Sequence, residues 1–402
     1  MKGAAWQERR GGAFGLGRAV APQSLPWLRV DWHILAVALS LLGLGVLFVS
    51  GMAEADELNQ RNDVSLGGHL RKVAVAFPAL VLGLCVRARW LRRNAGLVFG
   101  VCVVLLLLVP LIGEERNNAR RWISLPGGVF DLQPSELAKF GYVLAMAGLL
   151  YARRMQHLGD WVRAGLLTAL PMALVMAQPD LGTALTLVPV SIGMVWLAGA
   201  RAGDLARIAL VGVVVAVLAW QLEWIKPYQM QRVETWMESW DPEQLKAGRN
   251  GPAFHAYHAR TPIGNGYWFG RGLGNGVANE AGHLPERESD SIFAVVAEEA
   301  GFVGTSGILL LYCLMIVLLL QSASEVRERF SRLAVGGIAL VFASHFVIHV
   351  AVNLGLVPLT GLPLPLFSTG GSSLLASFLG LGLALGLAAQ SEPTLDGDAF
   401  RD

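Results

Sequence analysis

Apolar residues dominate ten segments of the chain, and the charged residues collect in the stretches between them. A helix needs roughly 20 apolar residues to cross about 30 Å of hydrocarbon. The pattern therefore predicts an all-α polytopic membrane protein with about ten transmembrane helices. The predicted spans cover residues 33–53, 72–88, 95–113, 135–152, 164–178, 182–200, 205–222, 291–320, 333–354 and 372–390. The fifth is short for a span, and the eighth is long enough to begin with a turn outside the bilayer.

Loop charges assign the two sides of the membrane. Arginines crowd one set of segments, namely residues 1–30 and the short loops near Arg87, Arg153, Arg201 and Arg327. Short basic loops stay in the cytoplasm, so the N-terminal arm and the tail 391–402 are both predicted to be cytoplasmic. The membrane domain then covers 31–390, with a large outer loop at 223–290 between spans seven and eight.

Composition agrees with this fold class. The 402 residues are 54% hydrophobic and 15% charged, whereas a soluble domain carries about 25% charge. The net charge of +2 gives no indication of nucleic-acid binding. The first apolar run is longer than a signal-peptide core of about 7–15 residues, which predicts an uncleaved span. The three cysteines lie in apolar runs and are predicted to be packing residues.

The link after the third span brings basic residues to the predicted outer side. Arg120 and Arg121 precede Trp122, and two interpretations stay open. They form an interfacial belt at the lipid headgroups, or they hold a phosphorylated ligand, since a guanidinium fork fits phosphate oxygens. In the next span, Glu136 and Lys139 share one helix face. Ionisable residues inside a membrane helix indicate a functional site.

Two further polar segments follow. Asp180 stands between the fifth and sixth spans, where it either caps the sixth helix or belongs to a site. The large outer loop begins on an amphipathic stretch with Arg232 and continues into a glycine-rich run, 264–274, around Arg271. No strand precedes this run and no Lys-Ser/Thr pair follows it, so it does not predict nucleotide binding. It predicts a flexible loop near a substrate path.

Acidic residues gather where the large outer loop meets the eighth span. Glu286 and Glu288 precede Asp290, and the apolar run begins at Ser291. Asp290 is predicted either to cap the eighth helix or to accept a proton from a substrate at the membrane surface. A free aspartate has a pKa of about 3.9, so we expect Asp290 to be ionised at neutral pH without special tuning.

Polar residues also lie inside later spans. Glu298 and Glu299 are adjacent, so at least one must face the bundle interior, pair with a base or be protonated. His345 and His349 share a helix face. They form either a metal pair or a packed polar contact, and the absence of a His-Glu-x-x-His pattern favours the contact.

Proline and glycine interrupt the chain between residues 358 and 373, before the tenth span. Broken helix at membrane depth is tolerated only where it is buried in protein or lines a cavity. The freed backbone groups and nearby hydroxyls are predicted to form a polar cradle for an anionic or sugar ligand. Its hydroxyl residues are Ser368, Thr369, Ser372 and Ser373.

In this order, the segments resemble the SEDS family of shape, elongation, division and sporulation proteins over about residues 30–390. Each motif is weak alone, but five in order on one predicted side are specific. Pro363 favours the RodA branch of the family over the FtsW branch. The matching stretches are Arg121-Trp122-Ile123, Gln133-Pro134-Ser135-Glu136 with Lys139, Gln178 to Thr183, Leu284-Pro285-Glu286 with Asp290 and Ile292-Phe293, Glu298-Glu299, and Pro363-Leu364-Pro365 with Ser368 and Gly370-Gly371-Ser372-Ser373.

The resemblance implies a peptidoglycan glycosyltransferase of the bacterial cytoplasmic (inner) membrane. Such proteins join lipid II units to a glycan strand on undecaprenyl pyrophosphate and work with a class B penicillin-binding protein, a transpeptidase. The family's essential outer acid falls at Asp290, the candidate catalytic residue. A divalent cation, Mg²⁺ or Mn²⁺, is an expected cofactor whose ligands the sequence does not identify. Candidate substrate-binding residues are Arg121, Glu136, Lys139, Asp180, Arg232, Arg271, Glu286, Ser368, Gly370, Gly371 and Ser372.

The chain departs from the family pattern around this acid. The family has a His-Thr pair before the acid and an aromatic residue after it, where this chain has Glu288, Ser289 and Ser291. Thr369 stands where the family has tyrosine, and residues 241–261 are also unusual. Activity is expected to be kept because the acid and the motif residues around it remain. Differences are expected in substrate binding and in partner contacts.

Two other functions stay open. A lipid II flippase needs a polar path through the whole bilayer, and the acids and lysine inside the spans suit such a path. A non-catalytic scaffold for a transpeptidase is compatible with the altered residues around Asp290. The motifs cluster on the predicted outer side, which favours polymerisation.

Overall fold

The computed structural model describes residues 30–61, 63–116, 119–124, 130–153, 155, 157–221, 227–251, 253–277, 284 and 286–390. The predicted N-terminal arm before Val30, the predicted tail 391–402 and Pro285 of the matching motifs lie outside the described residues.

Thirteen α-helices form most of the described part. Ten longer helices coincide with the ten predicted apolar segments, and three shorter helices lie between the seventh and eighth of them. In chain order the helices are α1 (Trp32–Leu58), α2 (Leu66–Cys85), α3 (Ala88–Ile112), α4 (Pro134–Tyr151), α5 (Leu158–Ala177), α6 (Leu181–Leu197), α7 (Ala202–Gln221), α8 (Pro227–Glu238), α9 (Pro242–Ala247), α10 (Phe254–Asn265), α11 (Ile292–Glu325), α12 (Arg329–Leu354) and α13 (Gly371–Ala389).

Seven described helices are long and apolar enough to cross a membrane: α1, α2, α3, α5, α11, α12 and α13. Helix α6 is apolar but has only 17 residues. Helix α4 is buried on nearly every side, against α3, α5, α6, α12 and α13, and so forms the centre of the bundle. The prediction of a polytopic helical membrane protein is confirmed, while the number of ten crossings stays a prediction.

Three predicted spans begin too late along the chain. Helix α2 begins at Leu66 rather than 72, α3 at Ala88 rather than 95, and α5 at Leu158 rather than 164. The first helical turns, which the predicted spans left out, contain polar or charged side chains such as Arg89. An apolar window excludes these residues, although long side chains reach water from the end of a helix. The fifth span is therefore a full helix of 20 residues.

A small antiparallel sheet was not anticipated. It comprises β1 (Glu114–Arg116), β2 (Ala119–Ser124) and β3 (Asp131–Leu132), with β2 in the centre. Strands of two to six residues are too short for a periodicity signal. The sheet places Arg121 and Trp122 against the ends of the neighbouring helices.

We call one end of the bundle the loop face, because it carries the sheet, α8 to α10, residues 286–291 and residues 355–370. Chain connectivity brings helices α1, α3, α5, α7 and α12 to an end at this face. Helices α2, α4, α6, α11 and α13 begin there. The polar segments singled out in the sequence are thus brought to one end of the molecule.

Helix α11 is broken at Gly301, whose φ of 65° and ψ of −170° are accessible essentially only to glycine. Residues 266–272 fill the break. The amides of Arg271 and Gly272 donate to the carbonyls of Glu298 and Glu299, each at 3.0 Å. On the other side, the amides of residues 302 and 303 donate to the carbonyls of residues 267 and 268, at 2.8 and 3.0 Å. The freed backbone groups are satisfied, as an apolar medium requires.

The glycine-rich run therefore does not form the predicted flexible loop. Its glycines permit close backbone approach: a Cβ atom on Gly270 would lie 2.1 Å from the carbonyl oxygen of Glu299. The prediction was wrong because local sequence does not reveal that the run packs into a helix about 30 residues away.

Substitution of Gly301 by alanine tests this junction. The strained conformation and a Cβ atom 2.2 Å from the Gly270 amide should lower the free energy of unfolding by about 1–3 kcal/mol or more. Thermal unfolding of the purified protein in detergent measures the effect. The control is Gly307→Ala in the same helix, where a Cβ meets nothing within 4 Å and stability should stay the same or rise by up to about 1 kcal/mol. Equal stability of both variants would contradict the packing of residues 266–272 into the break in α11.

Candidate functional site

Asp290 lies directly before α11 on the loop face, and its side chain is half-buried. The N-cap of α11 is Ser291, so Asp290 does not cap this helix. Its backbone carbonyl accepts a hydrogen bond of 3.1 Å from the buried Asn353 side chain at the end of α12. Gly361 abuts the carboxylate, since a Cβ atom there would lie 3.2 Å from Oδ2 of Asp290. Elements distant in sequence thus converge on this one residue.

The broken segment before α13 holds the backbone of residues 286–290. The Glu288 carbonyl accepts from the amide of Thr369 at 2.9 Å and from its hydroxyl at 3.2 Å. The Ser368 hydroxyl donates to the Ser289 carbonyl at 3.0 Å and accepts from the Leu364 amide at 2.8 Å. These two predicted cradle hydroxyls therefore position the turn that carries Asp290, because their hydrogen bonds are made within the protein.

The environment of Asp290 favours its neutral form. Burial, followed by the negative charges of Glu286, Asp180 and Glu288, raises its pKa to about 7. The Ser289 hydroxyl acts weakly in the opposite direction. The expectation that Asp290 needs no tuning was therefore wrong, because a sequence does not show how far a carboxylate is removed from water.

A buried ion pair fixes the same turn from the side of α1. The guanidinium of Arg287 contacts the carboxylate of Asp56, and both side chains are nearly inaccessible to solvent. The second carboxylate oxygen of Asp56 accepts from the Val64 amide at 2.9 Å. Neither residue was singled out from the sequence, where Asp56 is one of several acids at the end of an apolar run. The pair connects the first helix to the turn that carries Asp290.

The candidate residues of α4 form a network inside the bundle. Lys139 pairs with Glu136 at 2.7 Å, and its ammonium also contacts Nε2 of His345 on α12. One turn further along α12, Nδ1 of His349 donates to the Leu362 carbonyl at 2.6 Å. The predicted packed contact for the two histidines is confirmed. Glu136 and Lys139 neutralise each other, and this network ties α4 and α12 to the broken segment.

Asp180 has the capping role that was one of its two interpretations. Its carboxylate accepts from the Thr183 amide at 3.1 Å and so caps α6. It also accepts from the Gln133 side chain at 3.0 Å and the Ser135 hydroxyl at 3.2 Å. Ser135 therefore bridges to Asp180 instead of capping α4. The fixed negative charge of Asp180 belongs to the surroundings of Asp290.

Arg121 binds the turn between α5 and α6. Its Nε donates to the Gln178 carbonyl at 3.1 Å, and Nη2 donates to the Pro179 carbonyl. Arg120 instead pairs with Glu115 at 3.3 Å on the surface of the sheet. The two adjacent arginines thus have different environments, and Arg121 alone points toward the site.

A cavity of about 270 Å³ opens beside the start of α13. Gly370, Gly371 and Ser372 line it, together with Trp122 and Lys72 of α2. The Lys72 ammonium donates to the Thr369 carbonyl at 3.1 Å. Sequence analysis missed Lys72 because it stood at the edge of an apolar segment. A lone lysine in the second turn of a membrane helix was the available signal.

Ser372 connects this cavity to the sheet. Its hydroxyl donates to the Asp131 carbonyl and accepts from the Gln133 amide at 2.8 Å. The side chain therefore holds β3 against α13. The backbone amides of the first turn of α13 are left as the groups of this segment that can meet a ligand, since they have no partner within the helix.

The remaining candidates are more dispersed. Arg232 of α8 donates to the Leu359 carbonyl at 3.0 Å and lines a second cavity, of about 500 Å³. Glu286 is exposed at the start of the turn. Arg271 lies at the break in α11, with Nε 3.9 Å from a Glu298 carboxylate oxygen, about two helical turns beyond Asp290. Arg271 is therefore not part of the group around the acid.

Comparison with known protein families identifies the family of this chain. A family profile described as "Cell cycle protein", covering FtsW, RodA and SpoVE, matches residues 31–392. The chain belongs to the FtsW/RodA/SpoVE family. This result confirms the resemblance to SEDS proteins.

Members of the FtsW/RodA/SpoVE family match nearly the whole chain. A protein named "Probable peptidoglycan glycosyltransferase FtsW" from Alkalilimnicola ehrlichii is 33% identical over 376 residues, 90% of each chain. One of the same name from Thioalkalivibrio sulfidiphilus is 34% identical over 373 residues, 89% of each chain.

Solved structures agree with the fold. The structure described as "Structural coordination of polymerization and crosslinking by a peptidoglycan synthase complex" matches with a TM-score of 0.75 at 29% identity, over 90% of this chain and 98% of that one. The crystal structure of Thermus thermophilus rod shape determining protein RodA matches with a TM-score of 0.67 at 29% identity, over 91% and 99%. Since both branch names occur, the predicted preference for the RodA branch stays a prediction.

A double-mutant cycle tests the Asp56–Arg287 pair. Arg287→Met leaves the buried Asp56 carboxylate with the more distant Arg61, at 3.9 Å, as its only basic partner among the described residues, and should cost up to about 3–5 kcal/mol of unfolding free energy. Adding Asp56→Asn should recover part of this loss, because it removes the stranded charge. Denaturant unfolding in detergent measures each variant. The control is Arg92→Met, which breaks the exposed pair with Glu328 and should cost about 0–1 kcal/mol. Additive losses in the cycle would count against a coupled pair.

Proposed function

We propose that the protein is a peptidoglycan glycosyltransferase that polymerises lipid II with Asp290 as its general base. The observation that carries this role is the setting of Asp290: a half-buried acid with a pKa of about 7, fixed by three segments on the loop face. Membership of the FtsW/RodA/SpoVE family supports the reaction class. The relatives carry the name "Probable peptidoglycan glycosyltransferase FtsW", which supports the same class.

In the proposed reaction, the C4 hydroxyl of the acceptor N-acetylglucosamine attacks the anomeric carbon of the donor strand. A C–O bond forms on one face of the sugar while the bond to the pyrophosphate oxygen breaks on the other, so the configuration inverts. The hydroxyl proton passes to the Asp290 carboxylate, and pyrophosphate leaves with the bonding electrons. Glycoside hydrolysis needs an acid because an alkoxide leaves poorly. Pyrophosphate is already a stable anion, so one carboxylate suffices.

The raised pKa suits a general base. A carboxylate that titrates near the working pH is a stronger base than a free aspartate and is still partly ionised. The acids around Asp290 raise this basicity, and Gly361 leaves space beside the carboxylate. The altered residues Glu288 and Ser289 keep this arrangement, because their carbonyls hold the turn.

The leaving pyrophosphate is assigned to the cavity at the start of α13. The Lys72 ammonium and the N-terminus of α13 supply positive charge there, beside Asp131, the one acid among the described lining residues, and helix N-termini attract phosphate. Burial raises the pKa of Glu288, and the charge of Lys72 opposes this rise, so Lys72 also lies close to the acidic turn. Charge developing on the pyrophosphate would be stabilised at this position.

No step of the proposed reaction uses the expected divalent cation. In the part of the chain that the structure describes, no three His, Cys, Asp or Glu side chains converge. Magnesium, however, is commonly held by one or two carboxylates together with substrate phosphates and water. The cation therefore stays a prediction, and Lys72 is the protein cation that the proposed reaction uses.

The loop face is proposed to lie outside the cytoplasmic membrane, with both termini inside. Arginines at the opposite end of the bundle support this orientation, since Arg89, Arg163, Arg207 and Arg332 lie near helix ends there. A transpeptidase of the class B penicillin-binding type is the proposed partner. A structural relative is described as coordinating polymerization and crosslinking, which supports such a pairing.

Polymerisation of purified lipid II, with and without the partner, tests the function. Asp290→Asn should lower the rate by about 10²–10⁴, the usual contribution of a general base. Asp241→Asn, an exposed cap of α9 on the same face, should leave it unchanged. Lys72→Met should also lower the rate, through loss of leaving-group stabilisation. If folded wild-type protein makes no polymer with the right partner, the enzyme assignment fails, and a scaffold or flippase becomes the better interpretation.

The rate should also depend on pH in a way that a free aspartate would not produce. Protonated Asp290 does not accept a proton, so kcat/KM should rise with pH and level off above a midpoint near 7. Initial rates of lipid II polymerisation between about pH 5 and 9 give the profile. A midpoint near the ordinary aspartate pKa of about 4 would show that Asp290 is well hydrated.

A further inference from the structure

The second cavity, of about 500 Å³, carries a concentration of positive charge that the proposed reaction does not yet use. It lies between α8, α10 and the end of α12, and Arg121, Arg232, Arg260 and His255 line it. Among the described residues that line this cavity, none is acidic. Three guanidinium groups around one space form a site for an oxyanion.

Backbone carbonyls orient two of these arginines, Arg260 and Arg232. Arg260 donates to the carbonyls of Ser239 and Gly355, at 2.6 and 3.2 Å, and Arg232 donates to the Leu359 carbonyl. The buried Nε of Arg260 has no hydrogen-bond partner among the described residues. Burial lowers the pKa of Arg260, as expected for a cation that lacks a compensating anion.

This cavity adjoins the proposed base. His255 contacts the Ser291 hydroxyl with its Nε2 at 3.2 Å, and Ser291 directly follows Asp290. Leu359, which also lines the cavity, is two residues before Gly361 beside the Asp290 carboxylate. The cavity at α13 has a different set of lining residues. The two cavities are therefore separate, and the one lined by the three arginines adjoins Asp290.

We propose that the 500 Å³ cavity binds a free carboxylate of the stem peptide of the acceptor lipid II. This inference rests on the proposed function, in which the donor pyrophosphate occupies the cavity at α13. The acceptor then presents its sugar hydroxyl to Asp290 from the other cavity. Its pyrophosphate is tied to the lipid headgroup level, whereas its peptide extends away from the membrane. Helices α8 and α10 have 12 residues each, too few to span a membrane, so Arg232 and Arg260 belong to the loop face, toward which the peptide extends.

Direct binding separates the possible oxyanions. Full-length Asp290→Asn protein, whose turnover should be about 10²–10⁴-fold slower, is titrated in nanodiscs with three lipids: lipid II, lipid II whose peptide carboxylates are converted to amides, and undecaprenyl pyrophosphate. Arg260→Gln in this background should weaken binding of lipid II by about 10- to 100-fold, the range expected for hydrogen bonds to a charged group. Binding of the amidated lipid and of undecaprenyl pyrophosphate should change less than about twofold.

Two variants control for misfolding. Arg249→Gln, an exposed arginine on the same face, should leave all three affinities unchanged. Arg232→Gln should reproduce the selective loss without breaking the Arg260 contacts to α8 and α12. A variant that merely unfolds would lose affinity for all three lipids to the same extent.

Equal losses for native and amidated lipid II would overturn the inference, as would a parallel loss for undecaprenyl pyrophosphate, which would assign the cavity to pyrophosphate. Either result combined with normal polymerisation by the wild type leaves the glycosyltransferase assignment intact. Absence of both lipid II binding and polymerisation would overturn the proposed function together with this inference.

Discussion

The partial removal of the Asp290 carboxylate from water depends on a short turn held from several directions. Its carbonyls accept hydrogen bonds from Ser368, Thr369 and Asn353, and the Arg287 side chain reaches back to Asp56. None of these bonds involves the carboxylate directly. They keep it near other acids despite their repulsion, and the raised pKa follows from this enforced placement.

The apolar surroundings explain why the supporting chain is built as it is. Wherever a helix is interrupted, its freed backbone groups need partners inside the protein. Residues 266–272 meet this need at the break in α11. Before α13, hydroxyls of the broken segment bind carbonyls of the acidic turn. The same hydrogen bonds that make irregular backbone tolerable also fix the geometry of the site.

Charge is distributed unevenly over the loop face. Acids surround Asp290, Lys72 and Asp131 line the cavity at α13, and arginines line the larger cavity, with no acid among its described residues. The ion pair Glu136–Lys139 is internal and neutral overall. A base beside an arginine-lined cavity suits a reaction in which both substrates are anionic, and electrostatic attraction would favour their approach from the loop face.

The sequence alone predicted the helical membrane fold, the position of most helices, the family and Asp290, because hydropathy and short motifs are local signals. It did not reveal the sheet, the break at Gly301 or the roles of Lys72, Asp56 and Arg287. It also misjudged the ionisation of Asp290 and the conformation of the glycine-rich run around Arg271. These features depend on contacts between residues up to about 300 positions apart. Burial and pairing exist only once the chain has folded, so tertiary structure alone decided them.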